Sequence, residues 1–178
     1  YQRGEGVERD LARARDLYRD ACRAGDGTAC ANLGVLYSEG LAVEQNADRA
    51  ATLFKRACSQ RDLGGCSNLA RAYELGRGVT ANPEKAVELF QEPCEADIFE
   101  ACNNLGRMYE EGRGVEADIY AAARLYLKAA TARLPAALYN LGRFYETGQG
   151  VRESRPRAVE VHTEACAADV AVACLALG

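Results

Sequence analysis

Eight cysteines recur along this chain with a strict 36-residue period. They fall into two columns in which every step is 36 or 72 residues: Cys22, Cys58, Cys94 and Cys166 in the first, and Cys30, Cys66, Cys102 and Cys174 in the second. A tyrosine column keeps the same period at Tyr37, Tyr73, Tyr109 and Tyr145. Such a chain is built from copies of one supersecondary unit, and each copy buries its apolar face only by stacking on its neighbours.

Each unit has the pattern of two α-helices. Residues that favour a helix N-cap recur at one phase of the repeat: Asp10, Asn46, Asn82, Asp118 and Ser154. Apolar residues then follow at helical spacing, the chain turns near Gly25, and a glycine-rich connector such as Gly76-Arg77-Gly78 closes the unit. We therefore predict an all-α fold, an α/α right-handed superhelical solenoid of about five 36-residue helix-turn-helix repeats.

The same phase predicts the domain organisation. We expect a single solenoid domain over residues 1–178, with repeats at about 9–44, 45–80, 81–116 and 117–152 and a truncated one at 153–178. The chain has no initiator Met, and Gly178 falls inside a helical pattern, so we expect it to be part of a longer or processed protein. Proline is tolerated in the first turn of a helix, but Pro93 should shorten or kink a helix just before Cys94.

The spacing of the cysteines within a unit predicts disulfide bonds. On one continuous helix, cysteines eight residues apart would be separated by about 12 Å, too far for a bridge whose Cα atoms lie about 4.4–6.8 Å apart. Across a helix-turn-helix hairpin, however, the two positions face each other. We predict four bridges: Cys22–Cys30, Cys58–Cys66, Cys94–Cys102 and Cys166–Cys174.

The fourth unit supports this pairing, because Ala130 and Leu138 stand where its two cysteines would be. Loss of both partners together is what a disulfide predicts, and it marks one unbridged, softer unit.

Zinc is the alternative, but the chain has no Cys-x-x-Cys pair and its single histidine, His162, lies in an aromatic core column. We expect no metal and no cofactor, and disulfides that imply an oxidising compartment.

Charge and hydropathy exclude two classes of partner. The net charge is −4, and basic and acidic residues are interleaved, whereas a nucleic-acid surface needs a concentrated basic footprint. The one long apolar run, residues 165–178, is interrupted by Asp169 and too short to span a bilayer. We expect no nucleic acid, no membrane insertion and a monomer.

The pattern A-C-x-N-L-G-x-x-Y-x-x-G at residues 29–40, repeated at 101–112, resembles the Sel-1-like repeat family, a relative of the tetratricopeptide repeat. The paired cysteines resemble its cysteine-rich, secreted bacterial branch, the Hcp-type proteins. Ala42 and Ala70 depart from the usual glycines. The resemblance implies an adaptor that holds proteins or peptides on a concave face, in the periplasm or outside a bacterial cell. A mitochondrial intermembrane-space relative offers an alternative location.

Some cysteine-rich relatives carry a β-lactamase or penicillin-binding label, so the resemblance implies such an activity as an alternative. None of the four serines (Ser38, Ser59, Ser67 and Ser154) has a lysine three positions later, as the serine enzymes of that class require. With one histidine, a metal-dependent hydrolase is also disfavoured. We expect no intrinsic enzymatic activity. A structural spacer within a larger protein remains open.

Two columns are candidates for partner binding. Asn32, Asn68, Asn104 and Asn140 recur near the start of each second helix, where their amides could bond the backbone of an extended peptide or only a carbonyl of their own turn. Arg13, Arg49 and Lys85 form a mostly basic column on the first helices that could capture carboxylates or simply be a solvated face. Both alternatives stay open at the level of sequence.

Overall fold

A computed structural model describes residues 10–177 of the chain, and over this range it forms ten α-helices and no strand. The helices are α1 (Leu11–Arg23), α2 (Gly27–Glu39), α3 (Ala47–Ser59), α4 (Leu63–Leu75), α5 (Pro83–Glu95), α6 (Phe99–Glu111), α7 (Ile119–Ala130), α8 (Pro135–Thr147), α9 (Arg155–Ala167) and α10 (Ala171–Ala176). The prediction of an all-α chain of helix-pair repeats is confirmed.

The helices group into two compact units that divide within α5, one ending at Leu89 and the other beginning at Phe90. In the first unit α1 packs on α2, α2 on α3 and α3 on α4. In the second, α6 packs on α7, α7 on α8, α8 on α9 and α9 on α10. Packing between sequence neighbours is the contact pattern of a repeat protein. The prediction of one domain over residues 1–178, with its five repeat boundaries, stays a prediction.

The first helix of each pair begins at a capping residue. The side chains of Asp10, Asn46, Asn82 and Asp118 each accept a hydrogen bond of 2.8–2.9 Å from the backbone N–H three residues later. Ser154 occupies the N-cap of α9 but makes no such bond, so the expected side-chain cap is wrong there. Pro156, the second residue of α9, removes one of the two backbone N–H groups that a capping hydroxyl normally bonds.

The turn between the two helices of a pair uses a left-handed residue at one phase of the repeat. These residues are Gly25, Arg61, Asp97, Arg133 and Asp169, with φ between +55° and +104°. Asp26 and Asp62 then cap α2 and α4 through their side chains, which accept from the N–H groups of Ala29 and Gly65. Glycine is therefore not required at this turn, and four of the five residues there carry a side chain despite the steric cost.

Aromatic rings of the first helices pack directly on glycines of the preceding second helix. A Cβ added to Gly34 would lie 2.5 Å from Cε1 of Phe54, and one added to Gly106 would lie 2.9 Å from Cε1 of Tyr126. The rings of Tyr126 and Phe144 meet edge to face, with centroids 5.2 Å apart. Glycines at one phase of the repeat and aromatic rings at another thus form the two sides of one contact that brings helices close together.

Four disulfides join the helices of a pair, and the pairs are those expected from the spacing: Cys22–Cys30, Cys58–Cys66, Cys94–Cys102 and Cys166–Cys174. Their Cα atoms are 4.5–4.8 Å apart, within the usual range for a bridge. In the α7–α8 pair, where no bridge is possible, Leu138 is buried against Ala165 and Ala173, with Ala130 packed at the edge. Apolar packing occupies the position of the missing bond.

Pro93 does not have the predicted effect on helix length. Helix α5 has 13 residues, like its neighbours α4 and α6, and continues past Pro93 to Glu95. Because Pro93 is third from the end, its missing N–H removes a single bond at a position where the helix is about to stop. Its carbonyl accepts a hydrogen bond from the N–H of Ile98 at 2.9 Å, which closes the turn before α6. The expected shortening is therefore wrong, and the alternative of a kink at Pro93 stays a prediction.

Candidate peptide-binding surface

The asparagine column lies on the second helices, one residue in each of α2, α4, α6 and α8. Asn32, Asn68, Asn104 and Asn140 occupy the second turn of these helices and are partly exposed. Leu33, Leu69, Leu105 and Leu141 follow them directly and are buried. Each apolar core position thus fixes the asparagine beside it at the edge of the packed face, where its amide reaches solvent.

The amides of this column are mostly unused by the fold. Asn140 donates a hydrogen bond of 3.0 Å from Nδ2 to Oδ1 of Asn103. Within residues 10–177, the side chains of Asn32, Asn68 and Asn104 make no hydrogen bond, to a turn carbonyl or to any other group. A partly exposed amide keeps both a donor and an acceptor available to a partner.

A groove of about 390 Å³ lies in the first unit between α2, α3 and α4, and Asn68 is part of its lining. Its floor is apolar and includes Ala47, Ala51, Phe54 and Leu75. The polar groups around it come from Ser38, Glu39, Gln45, Asn68, Arg71 and Arg77. A concave surface that combines apolar side chains with convergent polar groups is a common form of ligand site.

The basic column predicted to meet carboxylates lies against the tyrosine column. The guanidinium of Arg49 is 5.6 Å from the ring centroid of Tyr37, and the ammonium of Lys85 is 4.7 Å from that of Tyr73. Arg157 stands over Tyr145 at 5.6 Å in the same way. These are cation–π contacts across the connector between one helix pair and the next. Arg49 and Lys85 therefore contribute to the packing of the connector. They are nevertheless exposed, as is Arg13.

In the second unit, Glu110 of α6 joins two neighbouring helices. It accepts a hydrogen bond of 2.6 Å from the Tyr126 hydroxyl and one of 2.8 Å from the Arg143 guanidinium. Burial raises the pKa of Tyr126 far above its ordinary value, and the hydrogen bond to Glu110 raises it further. Burial alone would lower the pKa of Arg143, but the hydrogen bond and negative charge of Glu110 outweigh it and raise that pKa.

His162 takes the aromatic position of α9 and is buried, as its column predicts. Its Nε2 lies 3.2 Å from a carboxylate oxygen of Glu146, and its ring packs over Gly142. Glu110 and Glu146 are 36 residues apart, and so are Tyr126 and His162. A carboxylate therefore lies beside the aromatic position of the following helix in both pairs, although Tyr126 is hydrogen-bonded to its carboxylate and His162 is not.

Sequence reasoning missed these carboxylates and the arginines beside them. The signal was present in two further columns at the 36-residue period: Glu74, Glu110 and Glu146, and Arg71, Arg107 and Arg143. Both columns lack a member in the first repeat, which has Ser38 and Val35 at these phases. The first repeat therefore leaves Arg71 without the glutamate that Arg143 has.

All eight cysteines are bonded as disulfides, so none can serve as a thiolate ligand or nucleophile. Over the described range, 10–177, no three His, Cys, Asp or Glu side chains gather as a metal site would require. None of the ten helices of this range is long and apolar enough to cross a bilayer.

The family model of the Sel1 repeat matches five consecutive stretches of the chain, at residues 1–26, 27–62, 64–97, 99–133 and 135–169. The chain belongs to the Sel1 repeat family. In general this family comprises scaffolds for protein interaction rather than enzymes. No curated protein is significantly similar to the chain.

Solved structures of Sel1 repeat proteins have the same fold. One is c5321, a protective antigen present in uropathogenic Escherichia coli strains, with 31% identity and a TM-score of 0.86 over 99% of this chain. This chain spans only 38% of the length of c5321. A Sel1 repeat protein from Oxalobacter formigenes has 26% identity and a TM-score of 0.87 over 97% of this chain and 71% of its own.

Cysteine-rich protein B of Helicobacter pylori is also similar, with 27% identity and a TM-score of 0.57 over 76% of this chain and 97% of its own. Likeness to a cysteine-rich Sel1 protein agrees with the four disulfides of this Sel1 chain. Together they indicate an oxidising compartment outside the cytoplasm.

Proposed function

We propose that this Sel1 repeat chain is a non-catalytic, monomeric scaffold that binds an extended peptide segment of a partner protein. One observation carries the proposal. Asn68, whose amide makes no hydrogen bond within the described residues, lines a groove of about 390 Å³ with an apolar floor. A side-chain amide can donate to a peptide carbonyl and accept from a peptide N–H, so it recognises backbone irrespective of sequence.

The repeat supplies such amides at a spacing that suits an extended chain. Packed helices lie about 8–10 Å apart, which corresponds to about three residues of an extended peptide. In the first unit, α2 and α4 are in contact and carry Asn32 and Asn68. Two amides can therefore hold the backbone at two points, while the apolar floor receives a side chain between them.

The basic column belongs to the proposal as the rim of the surface. Arg49 stacks on Tyr37 and also borders a second, shallower pocket with Leu33, Thr52 and Leu53. A guanidinium that stacks through its face keeps its N–H groups free at the edge of the plane. We propose that Arg13, Arg49 and Lys85 contact acceptors of the partner outside the groove.

We place the protein in the bacterial periplasm or outside the cell. Its disulfides need an oxidising environment, and both compartments provide one. The test of this location is the redox state of the cysteines in intact cells, read by alkylation and mass spectrometry. Free thiols in material trapped without reduction would contradict it.

The binding proposal is tested with the purified chain against a displayed library of linear peptides, followed by calorimetric titration of the selected sequences. We expect saturable binding that Asn32→Ala and Asn68→Ala each weaken by about five- to tenfold, the effect of losing one or two hydrogen bonds. Gln149→Ala removes an exposed amide from the connector after α8 and serves as the control, with unchanged affinity.

Two outcomes would contradict the proposal. A correctly folded chain, judged by circular dichroism and intact disulfides, that binds no peptide or protein would favour a spacer role. Turnover of nitrocefin by the purified chain, at a rate that follows the protein through successive purification steps, would show catalysis that the scaffold proposal excludes.

A further inference from the structure

Two arginines in the lining of the first-unit groove are unpaired. Arg71 lies on α4 and Arg77 in the connector that follows it, and both are exposed. Neither makes an ion pair or a side-chain hydrogen bond with any residue in the described part of the chain. The corresponding arginine of a later repeat, Arg143, is held by Glu110 at 2.8 Å.

The difference has a cause in the sequence. Arg143 is paired because the preceding second helix carries Glu110, whereas the position that precedes Arg71 by 33 residues is Ser38. Ser38 is too short to reach across, and its hydroxyl donates to the carbonyl of Val35 at 3.0 Å. The guanidinium of Arg71 therefore stays unpaired in the first-unit groove, whereas a glutamate at position 38 would neutralise it.

The charge balance of the groove favours an anion. Arg71 and Arg77 provide two positive charges, and Glu39 provides the one carboxylate of the lining, in a protein with a net charge of −4. Beside the arginines lie Phe54 and Leu75, of which Leu75 is 44% exposed. A carboxylate can form charge-assisted hydrogen bonds with an unpaired guanidinium. An apolar side chain next to that carboxylate can cover the exposed apolar surface of the groove.

Asn68, Arg71 and Leu75 also share one face of α4, because residues three and four positions apart on a helix are neighbours. Along the helix, this face therefore presents first an amide that can bind peptide backbone, then a guanidinium that can bind a carboxylate, and then an apolar side chain. A single extended segment can meet all three only if it runs along the groove.

We propose that this groove recognises an acidic side chain within the partner's segment, an Asp or Glu flanked by an apolar residue. Its carboxylate binds Arg71 and Arg77, and the apolar neighbour packs on Phe54 and Leu75. The inference deepens the proposed function and depends on it, since it names the chemistry that the same surface selects.

The test uses peptides selected by the whole chain, in matched pairs that differ only by Glu→Gln or Asp→Asn. We expect selected peptides to share an acidic residue, and its neutralisation to weaken Kd about tenfold, the effect of one charge-assisted bond. Arg71→Ala and Arg77→Ala should each have a similar effect on the acidic peptide and little on the neutral one. Lys55→Ala removes an exposed positive charge from α3, outside the groove lining, and controls for net charge.

Charge reversal separates recognition from loss of fold. Arg71→Glu should reject the acidic peptide and gain affinity for the same peptide with Lys in place of its acid, which an unfolded variant cannot do. If Asn68→Ala weakens binding but Glu→Gln and the arginine variants leave Kd unchanged, the inference fails while the scaffold proposal stands. If no peptide binds, both fail. Loss of binding on amidation of the peptide C-terminus would assign the anchor to a terminal carboxylate and overturn the inference.

Discussion

The Tyr126 hydroxyl donates a hydrogen bond of 2.6 Å to the Glu110 carboxylate, and this contact ties the first helix of one pair to the second helix of the pair before it. The ring of Tyr126 is fully buried, and within the described residues Glu110 accepts the hydrogen bond that the buried phenol needs. The contact thus contributes to stacking between repeats as well as to the local core.

We expect Tyr126→Phe to lower the free energy of unfolding by about 1–2 kcal/mol, because the buried ring stays in place while a charge-assisted hydrogen bond is lost. Urea titration followed by circular dichroism measures the change. Tyr120→Phe is the matched control, since Tyr120 lies on the same helix with 66% of its surface exposed. Equal effects of the two substitutions would show that the Glu110 contact contributes nothing.

The same hydroxyl predicts a dependence of stability on alkaline pH. The pKa of Tyr126 is raised in the folded chain, whereas in the unfolded chain it takes the ordinary value of about 10. Below that pH both states hold the proton and the stabilisation is complete. Above it the unfolded state releases the proton first, so stability falls as pH rises. Urea titrations between about pH 9 and 11.5 should show a shallower fall for Tyr126→Phe, and parallel curves would contradict the assignment.

Adjacent glycines at the start of α4 should respond oppositely to alanine. A Cβ on Gly65 would run into the Cβ of Ala57 on the facing helix, while one on Gly64 would meet only a carboxylate oxygen of Asp62, at 3.4 Å. We expect Gly65→Ala to destabilise by about 1–3 kcal/mol through overpacking. Gly64→Ala should be neutral or stabilise by up to about 1 kcal/mol. Thermal melts of both variants decide, and a tolerated Gly65→Ala would show that the helices can move apart without cost.

The connector after each second helix offers a second pair. Ala42 has φ +55° at the phase where later repeats have glycine, for example Gly78 with φ +70°. Ala42→Gly removes the left-handed strain and should stabilise by about 0.5–1 kcal/mol. Gly78→Ala should destabilise by more than that, because its Cβ would meet the backbone carbonyl of Ala47 as well as adopting the strained φ. Differential scanning calorimetry tests both, and a lower melting temperature for Ala42→Gly would contradict the strain.

The four disulfides should differ in accessibility to reductant. Cys174 is exposed, and α10, which carries it, is six residues long with Ala173 as its buried residue. The Cys94–Cys102 bridge, by contrast, has 4% and 0% exposure at its two ends. Graded dithiothreitol treatment, alkylation and peptide mapping should show Cys166–Cys174 opening first at native conditions. Earlier opening of Cys94–Cys102 would mean that burial of a bridge does not protect it from the reductant.

The 36-residue period predicted the helix pairs and the disulfide partners well, because both depend on relations that lie within one unit. A separation of eight positions between two cysteines allows few geometries for a bridge, and a helix-turn-helix hairpin provides one of them. The buried state of His162 also followed from its column alone.

Relations between successive repeats were harder to predict. The stacking of Arg49 on Tyr37 depends on how the connector folds back, and nothing in the spacing distinguishes it from a solvated face. The unpaired state of Arg71 could not be predicted for a related reason. It results from the absence of a glutamate 33 residues earlier, and the sequence does not show that these two positions face each other until the groove is formed. The side chain of Ser154 likewise makes no capping hydrogen bond, because Pro156, two positions later, has no backbone N–H to donate.

The unbridged α7–α8 hairpin, with Leu138 where a cysteine would be, does not depend on any oxidant. Its two neighbours in the same unit, the pairs that contain Cys94–Cys102 and Cys166–Cys174, pack against it through α6 and α9. Apolar packing alone therefore holds this hairpin between its two bridged neighbours. A reductant that opens every sulfur bond of the chain removes no covalent link from the α7–α8 pair itself, so this pair is indifferent to the redox state that governs the other four.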